Sequence, residues 1–295
     1  MNNKGIFFTT LAILILTLFV ISFSLYSDVQ ERTSVQKRVQ TMNSFLKSIE
    51  DDIPRQLYIS GFRTIFRMEK RIIETGNYIL PADFDRLFKE NFFNGTMEGV
   101  ENLDLMSGAT FPDLQQKTQE KADKVNVYIN ITSPNLTITQ SDPWNLRIEL
   151  TTDLVLVDKN QLASWNKTET YVGFVPINGF EDPLYLIGTN GKYANKFNQS
   201  STLLEFVDVE GNYSKYWNNT DAPSFIGRLT GDLAPSIYGV ESLVNLESLS
   251  DAGVNVLDKT IVDHYYFSNQ NPPISCTVDD ISWAKIDGDH TDYCI

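Results

Sequence analysis

The chain has 295 residues, of which 42% are hydrophobic and 21% are charged. This balance is typical of a folded chain with one large core or two ordinary ones, and it excludes a largely disordered protein. The formal net charge is -14 at pH 7. So acidic a surface repels nucleic acid and anionic lipid headgroups, which argues against both as partners.

The first feature along the chain is an apolar run over residues 6–26, which follows Lys4 and Gly5. As a helix it would be about 31 Å long, close to the hydrocarbon thickness of a bilayer. The apolar part of a cleaved signal peptide is shorter and ends at a small-x-small site, for which Ser22-Phe23-Ser24 is the one poor candidate. The run therefore predicts a membrane anchor that is retained, with a cleaved signal as the alternative.

The helical pattern continues beyond this run as an apolar stripe with alternating spacings of four and three residues. We expect Pro54 to kink or interrupt the helix, and Gly76-Asn77 to end it. The stripe has three interpretations, namely packing on the protein's own globular part, a coiled-coil oligomer, or packing in a filament. Its members are Val35, Val39, Met42, Leu46, Ile49 and Ile53.

Lys4-Gly5 before an apolar helix that runs on into an amphipathic one resembles the N-terminus of type IV pilins and pseudopilins. The resemblance implies that a prepilin peptidase cuts after Gly5 and leaves Ile6 as the new N-terminus. It also implies that the helix first anchors the subunit in the membrane and later packs in a filament core. The family usually carries a glutamate at the fifth mature position, where this chain has Thr10. Some minor members at filament tips lack it, so the resemblance points to a minor pilin.

Farther along the chain the period changes from helical to alternating. A helix is predicted over 82–90, and strands follow from Lys124, with turns at Ser133-Pro134-Asn135 and Ser141-Asp142-Pro143. A short helix is predicted over 239–249. The remaining predicted strands cover 171–177, 184–187, 203–209, 255–257 and 261–267.

The predicted fold class is α+β, with a long N-terminal transmembrane and amphipathic helix followed by a β-rich extracellular head. The predicted regions, in chain order, are a leader (1–5), a transmembrane helix (6–26), an amphipathic helical stalk kinked near Pro54 (27–78), a transition with short helices (79–123) and the β-rich extracellular domain (124–295).

Seven Asn-x-Ser/Thr sequons are confined to the middle of the chain. If they carry glycans, the head lies outside the cell and the N-terminus is cytoplasmic, as in a single-pass membrane protein. Unmodified surface asparagines are the alternative interpretation. Pilin-like anchoring together with N-glycosylation would suit an archaeal surface protein. The sequons are at Asn94, Asn130, Asn135, Asn166, Asn198, Asn212 and Asn218.

The only cysteines are Cys276 and Cys294. In an exported chain they predict a disulfide worth about 3 kcal/mol, with two unrelated thiols as the alternative. The acidic turn at Asp287, Asp289 and Asp292 offers hard oxygens to Ca²⁺. It lacks the length and the closing Glu of an EF-hand loop, so we predict an acidic turn and no metal site.

We find no motif that carries catalysis. There are two histidines, no zinc spacing, and no GxSxG elbow. His264 lies in VDHYYF, where an aromatic strand position is the expected role. We therefore predict no enzyme and no cofactor.

The sequence favours a structural function, as a pilin-like, minor subunit of a cell-surface filament or of secretion machinery. Its predicted partners are the membrane, through residues 6–26, and other pilin-like subunits or the assembly machinery. The alternative is a membrane-anchored extracellular binding or adhesion protein that does not polymerise. The mature N-terminus separates the two, because only the first requires it to be Ile6.

Overall fold

The computed structural model describes residues 3–101, 103–209 and 214–295. It is α+β, as predicted. The helices are α1 (Asn3–Thr75), α2 (Pro81–Asn94), α3 (Leu103–Met106), α4 (Phe111–Lys124), α5 (Pro183–Gly188), α6 (Leu203–Val207), α7 (Phe225–Thr230), α8 (Leu246–Asp251) and α9 (Asp263–Tyr266). Two 3₁₀ segments, Val278–Asp280 and Gly288–Tyr293, lie near the C-terminus.

The strands form four small sheets. The largest has three strands in the order β3-β4-β5, and the others are the pairs β1-β2, β6-β7 and β8-β9. The strands are β1 (Thr96–Met97), β2 (Val100–Glu101), β3 (Val127–Asp142), β4 (Asn145–Asp158), β5 (Ser164–Pro176), β6 (Tyr216–Asn218), β7 (Val240–Ser242), β8 (Ile274–Thr277) and β9 (Lys285–Asp287).

The chain divides into two compact units. The first unit comprises Met1–Asp52, Gln115–Thr132 and Asp153–Glu169. The second unit comprises Ile53–Leu114, Ser133–Thr152 and Thr170–Ile295.

Helix α1 runs through Pro54 without a break, so the predicted interruption there does not occur. The helix ends where the sequence predicts. Gly76 adopts φ +65°, and its N–H donates to the carbonyl of Ile72 at 2.8 Å. A left-handed residue just beyond the last turn is the usual way to satisfy a final helical carbonyl, and glycine adopts that conformation without steric cost.

Within the first unit, the amphipathic stripe of α1 packs on the protein's own chain. Met42, Leu46 and Ile49 are buried there, while Val39 remains 36% exposed. Ion pairs support the same packing, since Lys121 lies 2.7 Å from Asp52 and Lys167 also contacts Glu50. From Met42 onward, the stripe therefore serves the first of the three predicted roles, which is packing within the chain.

Strand β3 passes straight through the predicted turn at Ser133-Pro134-Asn135, so that prediction is wrong. Its buried positions are odd-numbered as far as Ile131 and even-numbered from Leu136. Ser133, between them, adopts φ +53°. One extra residue of this kind is the mark of a β-bulge, which shifts the alternation without ending the strand. The turn predicted at Ser141-Asp142-Pro143 is confirmed, because β3 ends at Asp142 and β4 begins at Asn145.

Beyond Pro176 the head is mostly short helices and loops, so the β-rich description holds only for β3 to β5. The strands predicted over 184–187, 203–209 and 261–267 are wrong, since those segments form α5, α6 and α9. Residues 255–257 lie in a loop, and the helix predicted over 239–249 is replaced by β7 and α8. Side-chain caps explain α5 and α6. Asp182 accepts from the N–H of Leu184, and Thr202 accepts from that of Glu205.

One carboxyl group on the buried side of α1 is in an environment that disfavours its ionised form. Glu69, in the second unit, is 3% exposed, and its Oε1 has no hydrogen-bond partner in the part of the chain that the structure describes. Burial raises the pKa of Glu69 well above its ordinary value, and the nearby charge of Glu181 raises it further. The ionised form is therefore disfavoured in the folded protein.

Replacing Glu69 with Gln is expected to stabilise the protein at pH 8, because burial raises the pKa of Glu69 and Gln keeps this buried position uncharged. The pKa of Glu69 is higher in the folded state than in the unfolded state. The native protein therefore loses stability as the pH rises from the unfolded-state pKa to the folded-state pKa. The gain from Gln should therefore be small at pH 5 and larger at pH 8. Urea unfolding of the full chain in detergent, followed by tryptophan fluorescence, measures it.

Glu74→Gln is the matched control for this change. Glu74 lies on the same helix with its side chain 49% exposed, and it pairs with Arg67 and Lys70. Exposed pairs contribute little, so we expect a change below about 1 kcal/mol and no gain that grows with pH. Equal stabilisation by Glu69→Gln at both pH values would show that the buried charge is not the cause.

Candidate functional site

The first candidate site is the start of α1, where large apolar side chains face outward. Helix α1 contains an 18-residue window of mean hydropathy 2.4, none of which is buried. Its side chains are among the most exposed of the molecule, including Phe19 at 73% and Phe23 at 76%. By length and composition this segment meets the requirement for crossing a bilayer.

The exposed segment is apolar on every side. Ile13, Leu14, Ile15 and Leu16 are consecutive, and each is between 51% and 64% exposed. At 3.6 residues per turn, four consecutive residues cover the whole circumference of the helix. A helix that docks on one protein surface keeps a polar face, whereas a helix apolar all round fits lipid or a ring of other helices.

The predicted cleavage residues lie at the very start of α1. The backbone of Lys4, Gly5 and Ile6 is helical. Cleavage after Gly5 stays a prediction.

The predicted glycosylation sites are accessible wherever the structure describes them. The asparagines at 94, 130, 135, 166, 198 and 218 are all exposed. Asn212 lies outside the described residues. Exposure is what a glycan acceptor requires, while occupancy stays a prediction.

A disulfide joins Cys276 of β8 to Cys294, with the Cα atoms 6.0 Å apart. This is compatible with the predicted pair. The loop it closes contains both β9 and the 3₁₀ segment Gly288–Tyr293. The cross-link therefore braces the segment that carries His290.

The three predicted acidic candidates do not form one group. Asp287 is buried, whereas Asp289 and Asp292 are exposed. The Asp287 carboxylate accepts from the hydroxyl of Thr260 at 2.9 Å and lies 2.8 Å from Nδ1 of His290. It is thus part of a buried network rather than of an acidic surface loop.

That network leads to a second candidate site, which we call the Glu-His-His cluster. Glu241 lies on β7, His264 on α9, and His290 on the 3₁₀ segment Gly288–Tyr293. Their exposed fractions are 0%, 3% and 2%. One ligand-type atom from each lies within 4.8 Å of the others. Among the described residues this is the one such group of three.

The inward-facing atoms of the cluster lie within ion-pair distance of one another. Glu241 Oε2 lies 3.3 Å from His290 Nε2 and 3.6 Å from His264 Nδ1. None of these atoms has a hydrogen-bond partner within the described ranges, and neither does His264 Nε2. The two imidazole centroids are 6.0 Å apart.

The outward-facing atoms are firmly held. Glu241 Oε1 accepts from the hydroxyl of Tyr293 at 2.5 Å and from Nδ2 of Asn219 at 2.8 Å. Nδ1 of His290 donates to Asp287. Burial alone would lower the pKa of His290, but the Asp287 and Glu241 carboxylates raise it to about 10.

A buried ionic network flanks the cluster and positions it. The Arg228 guanidinium donates to Asp182 at 2.6 Å and to Asp263 at 2.9 and 3.1 Å, and all three side chains are fully buried. Arg228 also donates to the carbonyl of Val240. Asp263 accepts from both the N–H and the hydroxyl of Ser242. Because Val240 and Ser242 flank Glu241, and Asp263 precedes His264, the network fixes the backbone that carries two of the three cluster residues.

Sequence patterns do not reveal this cluster. Its members are separated by more than twenty residues each and follow no ligand motif. The strand predicted around His264 is wrong, since His264 lies in α9. Glu241 falls in a segment that was predicted to be helical and is β7. The observable signal was the pair of histidines, both near the C-terminus and beside carboxylates.

Comparison with known proteins gives no family: no family model, no curated protein and no solved structure matches the chain. The resemblance to pilins therefore rests on the N-terminal residues alone.

Proposed function

We propose that the chain is a membrane-anchored, pilin-like subunit, of the minor kind, in a cell-surface filament or a secretion machine. The observation that carries the proposal is the split use of α1. Its early part, around Ile13 to Leu16, is apolar on all sides and exposed. Its later part is buried on the chain's own globular structure, from Met42 onward.

The exposed part supports anchoring in a membrane. So many exposed apolar side chains on one helix would be costly in water, at about 25 cal/mol for each Å² of apolar surface. A bilayer removes that cost without any specific contact. In the proposed topology, the short N-terminal stretch is cytoplasmic and the head is extracellular. The six described sequon asparagines are exposed and so accessible to glycosylation, and glycans on them would require this orientation.

The same segment supports assembly with sister subunits. Helices apolar on all sides can leave lipid for a bundle of similar helices, where close packing replaces contacts with lipid tails. Thr10, in place of the glutamate usual in the family, suits a subunit that occurs in few copies rather than one that forms the shaft.

A second function is favoured by one observation. Because Met42, Leu46 and Ile49 are occupied by packing within the chain, this part of the predicted stripe is not free for contacts between subunits. A membrane-anchored extracellular binding or adhesion protein that never polymerises needs only the exposed apolar segment as its anchor. It would keep Met1 or an unprocessed leader.

Anchoring is tested by placing charge in the exposed segment. The double variant Leu14→Arg/Leu18→Arg is expected to leave the membrane fraction, because each arginine costs about 2.5–3.5 kcal/mol at the centre of a span. Carbonate-washed membranes, probed for the protein, measure the loss. Val39→Arg is the matched control, since Val39 lies on the same helix beyond the apolar run and is 36% exposed. Retention of the double variant would contradict the proposed anchor.

Assembly is tested by the mature N-terminus and by imaging. N-terminal sequencing of the native protein should begin at Ile6, and cells that lack the protein should lose or shorten a surface filament. A chain that begins at Met1, with filaments unchanged, would leave the non-polymerising alternative. A start after Ser24 would contradict both functions, because the anchor would then have been removed.

A further inference from the structure

The Glu-His-His cluster leaves four buried polar atoms without a hydrogen bond among the described residues, although three of them lie 3.3 to 3.6 Å from an ion-pair partner. A buried polar atom without a hydrogen bond costs about 1–3 kcal/mol, so native proteins keep such atoms rare. Here Glu241 Oε2, His290 Nε2 and the His264 ring nitrogens belong to one site. A shared partner for them is the simplest way to remove the cost.

The separations fit a metal ion. Zinc binds imidazole nitrogen and carboxylate oxygen at about 2.0–2.2 Å in tetrahedral geometry, which places neighbouring ligand atoms about 3.3–3.5 Å apart. The distances from Glu241 Oε2 to His290 Nε2 and to His264 Nδ1 are 3.3 and 3.6 Å. The ligand atoms of His264 and His290 also lie within 4.8 Å of each other, so shifts of the side chains would bring all three to one cation.

The surrounding hydrogen bonds fit a metal site as well. A histidine that binds a metal through one nitrogen commonly donates its other N–H to a carboxylate, which fixes the ring. His290 does this through Nδ1 to Asp287 at 2.8 Å, and Thr260 in turn holds Asp287. Tyr293 and Asn219 hold the outer oxygen of Glu241 in the same way. Only the inner atoms of Glu241 and His290 are left to coordinate.

We propose that Glu241, His264 and His290 bind one divalent transition-metal ion of the zinc class, with a water molecule as the fourth ligand. Two imidazoles and one carboxylate are typical zinc ligands, whereas Ca²⁺ and Mg²⁺ prefer sites made of oxygen. The ion ties together β7, α9 and the C-terminal 3₁₀ segment. All three ligands are almost fully buried, so bulk solvent would have little access to the ion.

The test uses the full chain in detergent, purified without a histidine tag and refolded from urea with a chelator that is removed before metal is added. Zinc should then bind at one ion per chain and raise the unfolding temperature, whereas Ca²⁺ or Mg²⁺ at the same concentration should not. X-ray absorption at the zinc edge should find only nitrogen and oxygen ligands. Sulfur ligands would overturn the proposal, because they would point to Cys276 and Cys294 instead.

Variants separate a built site from adventitious binding. His290→Gln and His264→Gln should each remove tight zinc binding. Because either substitution can also disturb folding, Asp287→Asn provides an independent test, with an expected loss of about 10–100-fold in affinity. Asp289→Asn, at an exposed neighbour, is the matched control and should bind as the native chain does. Less than one-tenth of an ion per chain, or equal affinity in Asp287→Asn and Asp289→Asn, would overturn the proposal.

Discussion

Replacing Arg228 with Met is expected to lower the free energy of unfolding by about 3–5 kcal/mol, the usual cost of removing one partner from a buried ion pair. Among the residues that the structure describes, Arg228 is one of the largest side chains that are fully buried. It is the cation between the buried carboxylates of Asp182 and Asp263. Methionine would fill part of the volume but leave both carboxylates without their counter-charge.

The loss would also spread beyond the ion pairs. Arg228 donates to the carbonyl of Val240, so the substitution leaves that backbone acceptor without its charged donor. Asp182 would retain the hydroxyl of Tyr216 at 2.8 Å and the N–H of Leu184 at 2.9 Å. Asp263 would retain Ser242. These neutral donors are weaker than a guanidinium, so they offset only part of the cost.

Urea unfolding of the full chain at pH 7, followed by tryptophan fluorescence, measures the effect. Arg86→Met is the matched control, because Arg86 is 54% exposed and pairs with Asp83 and Glu90 on the surface of α2. Surface pairs of this kind are worth about 0–1 kcal/mol. If both variants lost similar stability, the buried network could not be what holds this part of the second unit together.

The sequence predicted the elements that have long periodic patterns. Helix α2 matches the predicted 82–90 segment, and β4 shows the strict alternation of buried and half-buried positions that its apolar residues indicated. In such segments each residue adds to the same signal, so local patterning and tertiary packing agree. The end of α1 at Gly76 was predictable for a different reason. Glycine readily adopts the left-handed backbone conformation that commonly ends a helix.

The short elements were not predictable in this way. Leu184 and Leu186 look like strand residues, yet Asp182 caps a helix there and Pro183 opens it. A run of four to six apolar residues fits either structure, so the cap decides, and its signal is a single residue. The interruption predicted at Pro54 does not occur, although a proline removes one helical hydrogen bond and its ring crowds the carbonyl four residues earlier.

The Glu-His-His cluster was beyond prediction because it is a spatial property. Glu241, His264 and His290 meet only through the pairing of β7 with β6, the Arg228 network and the disulfide-braced C-terminal loop. The sequence showed two isolated histidines, and of these constraints it suggested only the disulfide. One contact that supports the cluster is local in sequence, namely the one between Asp287 and His290, which are three residues apart.

Replacing Gly239 with Ala is the other change from which we expect a large effect. A Cβ at this position would lie 2.2 Å from the carbonyl oxygens of both Ala222 and Asn219. These are backbone atoms, so relief requires the chain itself to move rather than a side chain to rotate. Overpacking costs about 1–3 kcal/mol where side chains can adjust, so we expect about 3 kcal/mol or more here, measured as a fall in the urea midpoint.

The consequence should reach the cluster as well as the fold. Gly239 is two residues before Glu241, and its carbonyl accepts from the N–H of Asn219 at 3.1 Å, while the Asn219 side chain holds Glu241. Any shift that accommodates the methyl group therefore moves a cluster residue and its support together. Gly288→Ala is the matched control, since a Cβ there meets nothing within 4 Å. If the two alanine variants unfolded at the same urea concentration, the close approach at Gly239 would not constrain the fold.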